Sequence, residues 1–277
     1  MLINGKPTEK ISALDRGLQY GDGLFETIAV VNGQPRLWER HMARLARGEE
    51  RLKLPPQDKK RLLEEASSLL SVKGRGVIKL VVTRGQGGRG YRPSTAPQTT
   101  RIVSLHEWPD YPAIWYRKGI ALRICRTRIG QSKSLAGLKH LNRLEQVLAR
   151  QEWDDPAIPE GLMLDENSHV VEGTQSNLFL VKGGVLFTPD LANSGVAGIV
   201  RELVLEIAEE LGIESVISDL SLADVAGADA LFITNSLLGI CPVSTLEEHD
   251  YDIQKIPAKL INRVHGRCFG SSYSFSN

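Results

Sequence analysis

Apolar residues recur at helical spacing in several parts of the chain. In the segment 197–213, for example, Ile199, Leu203 and Ile207 fall on one face of a helix. Charged residues occupy the opposite face, as expected for a helix that lies on a protein core. Helices are also predicted over five further segments: 37–54, 58–72, 135–152, 221–228 and 258–266.

Short apolar runs bounded by turn residues predict strands in most of the remaining chain. The most direct signal is in 23–37, where the pair Asn32-Gly33 separates two such runs and predicts a hairpin. Further strands are predicted at 1–6, 76–85, 99–108, 120–128, 160–166, 169–173, 176–182, 184–189, 215–218 and 230–236. The early strands and helices together indicate an α+β arrangement with an antiparallel sheet.

A short proline-containing segment, 109–119, shows no apolar period and predicts a boundary between domains. We therefore predict an N-terminal α+β domain over 1–110, an interdomain linker over 111–119 and a C-terminal domain over 120–277. The final residues, 269–277, are polar and are expected to fray.

Composition narrows the class of protein. A net charge of +1 over 277 residues gives no electrostatic reason to expect a nucleic acid or an anionic membrane as partner. The three cysteines are scattered, so neither a metal site nor a disulfide framework is expected. The N-terminus lacks the pattern of a signal peptide, and no apolar run approaches the length that spans a bilayer. We expect a cytoplasmic protein.

Lys139 occupies an unusual place in the pattern. It stands at the start of the predicted helix 135–152, among residues such as Leu138 and Leu141 that should face the core. Two interpretations are open, a solvated helix lysine or a lysine held in a pocket for its amine chemistry. His41 and His140 lack the surroundings of a catalytic triad and are interpreted as structural.

The start of the helix near 199 is a candidate anion site. Ser194 or Gly195 is expected to cap it, and Gly198 would let a ligand approach the backbone N–H groups of Ile199 and Val200. The alternative, a plain capped helix, is favoured by this stretch alone.

Two other segments carry candidate polar groups. In 84–91, Arg89 and Tyr91 alternate, so on an extended segment both would point to one side and could bind a carboxylate. A mobile hairpin tip explains these residues equally well. Glu172, before a glycine and near Asn177, could bind a cationic nitrogen, although an exposed acidic turn is the simpler explanation.

The order of several blocks along nearly the whole chain resembles the fold-type IV pyridoxal-phosphate enzymes. The blocks are "DRGLQYGDGLFET", "ERHMARL", "VTRGQGGRGY", "LKHLNRLEQVLAR", "EGTQSNLF", "GVAGIVRE" and "FITNSLLGICPV". This group includes branched-chain and D-amino acid transaminases as well as 4-amino-4-deoxychorismate lyases, and the third and fourth blocks look most like the lyases. The resemblance implies an α/β fold like that of D-amino acid aminotransferase, with a β-barrel-like C-terminal domain that also carries helices.

The resemblance also implies roles for individual residues. Lys139 matches the catalytic lysine that binds pyridoxal 5'-phosphate, and burial there would lower the lysine pKa, as would a helix N-terminus. Glu172 matches the carboxylate that faces the pyridine nitrogen. Thr27 matches a proton-handling threonine of the lyases. Further cofactor contacts are expected from Arg44, Asn177, Gly198, Ile199, Val200, Asn235 and Ser236, and substrate-carboxylate contacts from Arg89 and Tyr91. Transaminases often carry threonine where this chain has Val200, which therefore offers only its backbone N–H.

The activity implied is conversion of 4-amino-4-deoxychorismate to 4-aminobenzoate and pyruvate, a step of folate biosynthesis. Two alternatives are a D-amino acid or branched-chain transaminase with the same cofactor and a non-catalytic binding protein on the same fold. The presence of Lys139 and Glu172 argues against the binding protein. Relatives are homodimers, so a homodimer is expected here.

Overall fold

The computed structural model describes residues 1–70 and 74–270. They divide into two compact units. The first comprises Met1–Pro109 and the short segment Leu138–Asn142, and the second comprises Asp110–Gly137 and the chain from Arg143 onward. The fraying expected for the last residues lies outside the described chain, except that Phe269 still belongs to a helix.

The first unit is built on an antiparallel sheet, as its hydrophobic pattern predicts. Its strands are β1 Leu2–Ile3, β2 Lys6–Pro7, β3 Gly23–Val31, β4 Gln34–Pro35, β5 Arg75–Thr83 and β6 Thr100–His106, in the order β2-β1-β6-β5-β3-β4. Its helices are α1 Arg16–Tyr20, α2 Trp38–Leu52 and α3 Lys59–Ser67. Apolar residues of β3 and β5, such as Ile28 and Leu80, form one core with Met42 of α2.

Two turns of the first unit depend on left-handed backbone. Asn32 and Gly33 have φ angles of 53° and 70° and form the predicted hairpin turn between β3 and β4. Helix α2 ends at Leu52, because Lys53 adopts a left-handed conformation and its N–H donates to the carbonyls of Glu49 and Glu50. The helix predicted over 37–54 therefore ends two residues early, before Pro55 and Pro56.

The second unit contains a mixed sheet. Its strands are β7 Ile120–Ile129, β8 Glu160–Asp165, β9 Val170–Gly173, β10 Asn177–Lys182, β11 Val185–Pro189, β12 Ser215–Ser218, β13 Ala230–Asn235, β14 Gly239–Leu246 and β15 His249–Asp250. Their order is β12-β11-β10-β13-β14-β7-β8-β9, with β15 on β14. Val170, in β9, donates its N–H to Leu220 just after β12 at 2.8 Å, so the two ends of the sheet meet in a barrel-like curl.

Helices cover this second sheet. They are α4 Ala113–Lys118, α5 Leu144–Arg150, α6 Ile199–Glu210, α7 Leu222–Ala226 and α8 Ala258–Phe269, with one 3₁₀ turn, Ile253–Lys255. The segment 111–119, expected to be a linker, thus carries α4, whose Trp115 and Tyr116 pack on the apolar core of this unit. Within the described residues, no helix is long and apolar enough to cross a membrane.

The helix predicted over 135–152 is wrong in its first half. Only Leu144–Arg150 is helical, whereas 138–142 runs beside β3. Phe25 donates its N–H to the carbonyl of Lys139 at 2.9 Å, and Leu141 donates its N–H to the carbonyl of Gly23 at 3.1 Å. These bonds to a strand edge satisfy backbone groups that the helix would have paired internally.

Two aromatic rings stack at the centre of the second unit. Phe179 of β10 and Phe232 of β13 are fully buried cross-strand partners, with ring centroids 4.9 Å apart and planes inclined by 5°. Such pairs stabilise a sheet through buried apolar area and dispersion contacts.

We expect Phe232→Ala to lower the free energy of unfolding by about 3–5 kcal/mol, because it leaves a cavity against Phe179. Ile217→Ala is the matched control, since Ile217 lies in the same sheet with 51% of its surface exposed, and should change stability by less than about 0.5 kcal/mol. Urea unfolding measures both values. Equal losses in the two variants would contradict the role assigned to the stacked pair.

Candidate active site

Lys139 lies in the first unit, beside one face of β3. Its Nζ stands 4.3 Å from the ring centroid of Phe25, and the side chain is half-buried. Because Lys139 is outside any helix, the expected lowering of its pKa by a helix N-terminus does not apply. Its position is set instead by the backbone bond to Phe25.

Thr27 shares this face of β3. Side chains alternate along a strand, so Phe25 and Thr27 point the same way. The cross-strand partner of Thr27 is Lys79 of β5, whose Nζ lies 5.8 Å from the Phe25 centroid. Lys139 and Lys79 therefore both lie near the Phe25 ring, on the face of β3 to which Thr27 also points, and Lys79 is an amine that the sequence motifs did not single out.

Glu26 points to the opposite face of β3 and is 1% exposed. Arg44 of α2 binds it with two nitrogens, Nε at 2.8 Å from Oε1 and Nη2 on Oε2. His41, one helical turn earlier, places Nδ1 2.6 Å from Oε2. A bidentate arginine–carboxylate pair of this kind combines charge with fixed geometry.

The electrostatics of this cluster keep Glu26 ionised. Burial acts to raise the pKa of Glu26, but the charge and hydrogen bonds of Arg44, with the hydrogen bond of His41, lower it to about 2. Burial lowers the pKa of His41, so the ring is neutral and donates from Nδ1. Arg44, predicted to contact the cofactor, is thus held by a carboxylate that sequence reasoning missed, because 18 residues separate the two.

Glu172 lies in the second unit, at the end of β9, and is 4% exposed, so it is not the exposed acid that its turn alone suggested. Its Oε2 accepts the N–H of Val196 at 2.8 Å and Nδ2 of Asn177 at 3.4 Å. The same Nδ2 donates to the Val196 carbonyl at 2.9 Å.

Helix α6 begins at Ile199, with Gly198 as its N-cap and no side-chain cap. The expectation that Ser194 or Gly195 caps the helix is wrong, since both precede the capping position. A Cβ atom at residue 198 would lie 2.0 Å from Oδ1 of Asn177, so only glycine fits there. The amides at the start of α6, including those of Ile199 and Val200, have no acceptor inside the helix.

The last two predicted contacts are Asn235, which ends β13, and Ser236, in the turn that follows. The Asn235 Oδ1 accepts the N–H groups of Leu237 at 2.9 Å and Leu238 at 2.8 Å. Its Nδ2 donates to the carbonyl of Gln175 at 3.4 Å. These three hydrogen bonds of Asn235 stabilise the turn.

The loop 84–91 differs from the extended segment that was expected. Gly90 has φ +84° and stands between Arg89 and Tyr91, so strand alternation does not decide where their side chains point. Both are exposed, Tyr91 by 86%. Arg84 is buried, and its nitrogens bind Asp22 and the carbonyls at the end of α2.

The Glu26 cluster makes a pH-dependent contribution to stability. The pKa of Glu26 lies below its ordinary value of 4.5, so its ion pair stabilises the fold above pH 4.5 and is lost as the pH falls toward 2. We expect Glu26→Gln to cost about 3 kcal/mol at pH 7 and progressively less below pH 4.5. Unfolding by urea at several pH values measures this. Glu50→Gln, on the exposed face of α2, is the control, and a Glu26→Gln loss that stayed constant from pH 7 to pH 3 would contradict the assignment.

This chain is similar to known proteins over most of its length. It is 38% identical over 264 residues to the aminodeoxychorismate lyase of Vibrio harveyi. The matched region covers 95% of this chain and 97% of that protein. The crystal structure of 4-amino-4-deoxychorismate lyase from Pseudomonas aeruginosa superposes with a TM-score of 0.91 at 48% identity, covering 95% of this chain and 97% of that one.

A transaminase has the same fold. The branched-chain amino acid aminotransferase of Escherichia coli matches with a TM-score of 0.83 at 25% identity, covering 98% of this chain and 95% of that one. The family model for amino-transferase class IV matches residues 23–246. The chain therefore belongs to the class IV aminotransferases, the fold-type IV family that its sequence motifs resemble.

Proposed function

We propose that this protein is an aminodeoxychorismate lyase that converts 4-amino-4-deoxychorismate to 4-aminobenzoate and pyruvate with pyridoxal 5'-phosphate as cofactor. The observation that carries the proposal is the 48% identity to the Pseudomonas aeruginosa lyase over 95% of the chain. Lys139 beside the Phe25 ring and Thr27 on the same face of β3 support it, because a lyase needs proton transfer at two places on its substrate.

The chemistry of the available groups fits this cofactor. Pyridoxal phosphate presents an aldehyde, a ring nitrogen and a phosphate. Lys139 supplies a primary amine and Glu172 a buried carboxylate for the ring nitrogen. The glycine-capped start of α6, with the amides of Ile199 and Val200, supplies N–H donors suited to a phosphate.

The other predicted contacts are assigned supporting roles. Asn177 orients Glu172 and, through its Oδ1, forces glycine at residue 198. Arg44, Asn235 and Ser236 are assigned to the phosphate, with Arg44 fixed by Glu26. Pairing with Glu26 fixes the orientation of the Arg44 guanidinium.

When bound, the cofactor supplies an electron sink for the substrate carbon that carries nitrogen. Lys139, as the amine of the site, takes the proton from that carbon. Thr27 is assigned to protonate the departing enolpyruvyl group, which leaves as pyruvate when its carbon–oxygen bond breaks. The remaining ring is aromatic 4-aminobenzoate, so substrate atoms and electrons balance without an oxidant or a reductant. Arg89 and Tyr91 are assigned to a substrate carboxylate.

Incubation of the purified protein with 4-amino-4-deoxychorismate should give equal amounts of 4-aminobenzoate and pyruvate. Lys139→Ala should abolish turnover and the bound-cofactor absorbance, and Thr27→Val should lower kcat by about 100-fold with the absorbance intact. Lys133→Ala changes an exposed lysine six residues earlier in the chain and serves as the control. Consumption of D-alanine or leucine without 4-aminobenzoate would replace the lyase by a transaminase.

We also propose that the protein is a cytoplasmic homodimer. Helix α5 exposes three apolar residues at helical spacing, Leu144 by 75%, Val147 by 48% and Leu148 by 55%. A contiguous apolar stripe of this kind is typical of a protein–protein contact. Buried thiols at Cys125, Cys241 and Cys268 suit a reducing compartment.

Leu148→Glu should weaken such a dimer, because it places a charge within the apolar stripe of α5. Light scattering should give a mass near twice the 30.5 kDa of the chain for the unmodified protein and a lower mass for the variant. Ile114→Glu, on a different exposed site of α4, should leave the mass unchanged. A monomeric, active unmodified protein would contradict the dimer.

A further inference from the structure

Arg16 is a buried arginine that none of the roles above explains. It begins α1 and is 4% exposed. Its Nη1 donates to the carbonyl of Gly90 at 2.9 Å and its Nη2 to the carbonyl of Tyr91 at 3.0 Å. Two donors of one planar guanidinium therefore bind the backbone of the loop that carries Arg89 and Tyr91.

The loop also contacts the backbone and the aliphatic part of the Arg16 side chain. The Arg16 N–H donates to the carbonyl of Gly85 at 2.9 Å. At residue 87 the loop passes so close that a Cβ atom would lie 2.8 Å from Cδ of Arg16 and 3.3 Å from Cγ. Backbone contacts at 85, 87, 90 and 91 thus surround one arginine, and glycine at 87 permits the approach.

Asp22 fixes the guanidinium itself. Its Oδ2 accepts Nε of Arg16 at 2.9 Å and Nε of Arg84 at 2.8 Å. Burial acts to raise the pKa of Asp22, but hydrogen bonds and charge from Arg84 and Arg16 lower it, so the carboxylate is ionised. Asp22 therefore fixes the orientation of the Arg16 guanidinium, and with it the direction of the two N–H groups that bind the loop.

Tyr20 connects Arg16 to the side chain of Tyr91. The Arg16 guanidinium lies 4.8 Å from the centroid of the Tyr20 ring. The Tyr20 and Tyr91 rings meet edge to face, with centroids 5.6 Å apart and planes inclined by 61°. Tyr91 is 86% exposed, yet it has a defined contact on one side.

We propose that Arg16 is a positioning residue that holds the loop 85–91 in the conformation in which Arg89 and Tyr91 bind a substrate carboxylate. The binding part of this inference rests on the proposed function, whereas the anchoring part rests on the contacts of Arg16 alone. Without an anchor, the loop carrying Arg89 and Tyr91 would lose conformational entropy when a substrate binds, which weakens binding. Because Arg16 already restricts the loop, much of that entropy is lost on folding instead.

The test uses two matched pairs of variants in the full chain loaded with cofactor. Arg16→Lys keeps the charge but loses the two-carbonyl contact, and Arg101→Lys is its control, because Arg101 is a largely buried arginine that pairs with Glu65 instead of the loop. Gly87→Ala brings a methyl group against Arg16. Gly88→Ala is the control for Gly87→Ala, because a Cβ atom there meets nothing within 4 Å.

Two measurements separate anchoring from substrate binding. Trypsin cleavage after Arg89, followed by mass spectrometry of the intact fragments, reports opening of the loop without any turnover. Arg16→Lys and Gly87→Ala should each accelerate that cleavage about tenfold, the effect of losing hydrogen bonds to a charged group. In the lyase assay both should raise KM by a similar factor with kcat nearly unchanged, and both controls should match the unmodified protein.

Each of the other possible results contradicts one part of the proposal. Unchanged cleavage in folded Arg16→Lys and Gly87→Ala overturns the anchor. Faster cleavage with an unchanged KM overturns the positioning role. If the unmodified protein lacks lyase activity, the proposed function fails, and the cleavage rates still decide the anchor. Thermal melting establishes that each variant is folded, and Gly87→Ala decides the matter if Arg16→Lys does not fold.

Discussion

The alternation of side chains along β3 is the constraint on which the first unit depends. Glu26 points toward α2, where Arg44 and His41 bind it, and Phe25 and Thr27 point to the other face, where Lys139 lies. A shift of β3 by one residue would bury Thr27 in place of Glu26 and leave Arg44 without that carboxylate. Strong pairing with β5 on one side and the backbone of 139–141 on the other prevents such a shift.

The second unit fixes its polar groups by a different means. Hydrogen bonds from Val196 and Asn177 set the position of Glu172, and the same asparagine excludes any side chain at residue 198. Arg201, in the first turn of α6, binds Thr188 and the carbonyl of Pro189 and so attaches the helix to β11.

The sequence predicted α6 and most of the strands because their patterns are local, although it missed β14. It failed at 135–152, where Leu138 and Leu141 continue the spacing of α5 by coincidence. The backbone of that stretch is satisfied by β3, a pairing more than a hundred residues away that no local pattern reveals. The same limit applies to the partners of Arg44 and Arg16. Resemblance identified Arg44, but only folding brings Glu26 to it, and only the folded loop gives Arg16 its acceptors.

Arg16 binds the loop through main-chain carbonyls, which every residue possesses. The identity of the side chains at 89 and 91 is therefore separate from what holds the loop in place, apart from the ring contact with Tyr20. Replacement at position 89 alters the group offered to a ligand without removing a bond that supports the scaffold. Under the proposed role of Arg89 and Tyr91, single substitutions at the loop tip would change the substrate preference while the contacts of Arg16 with the loop backbone stay intact.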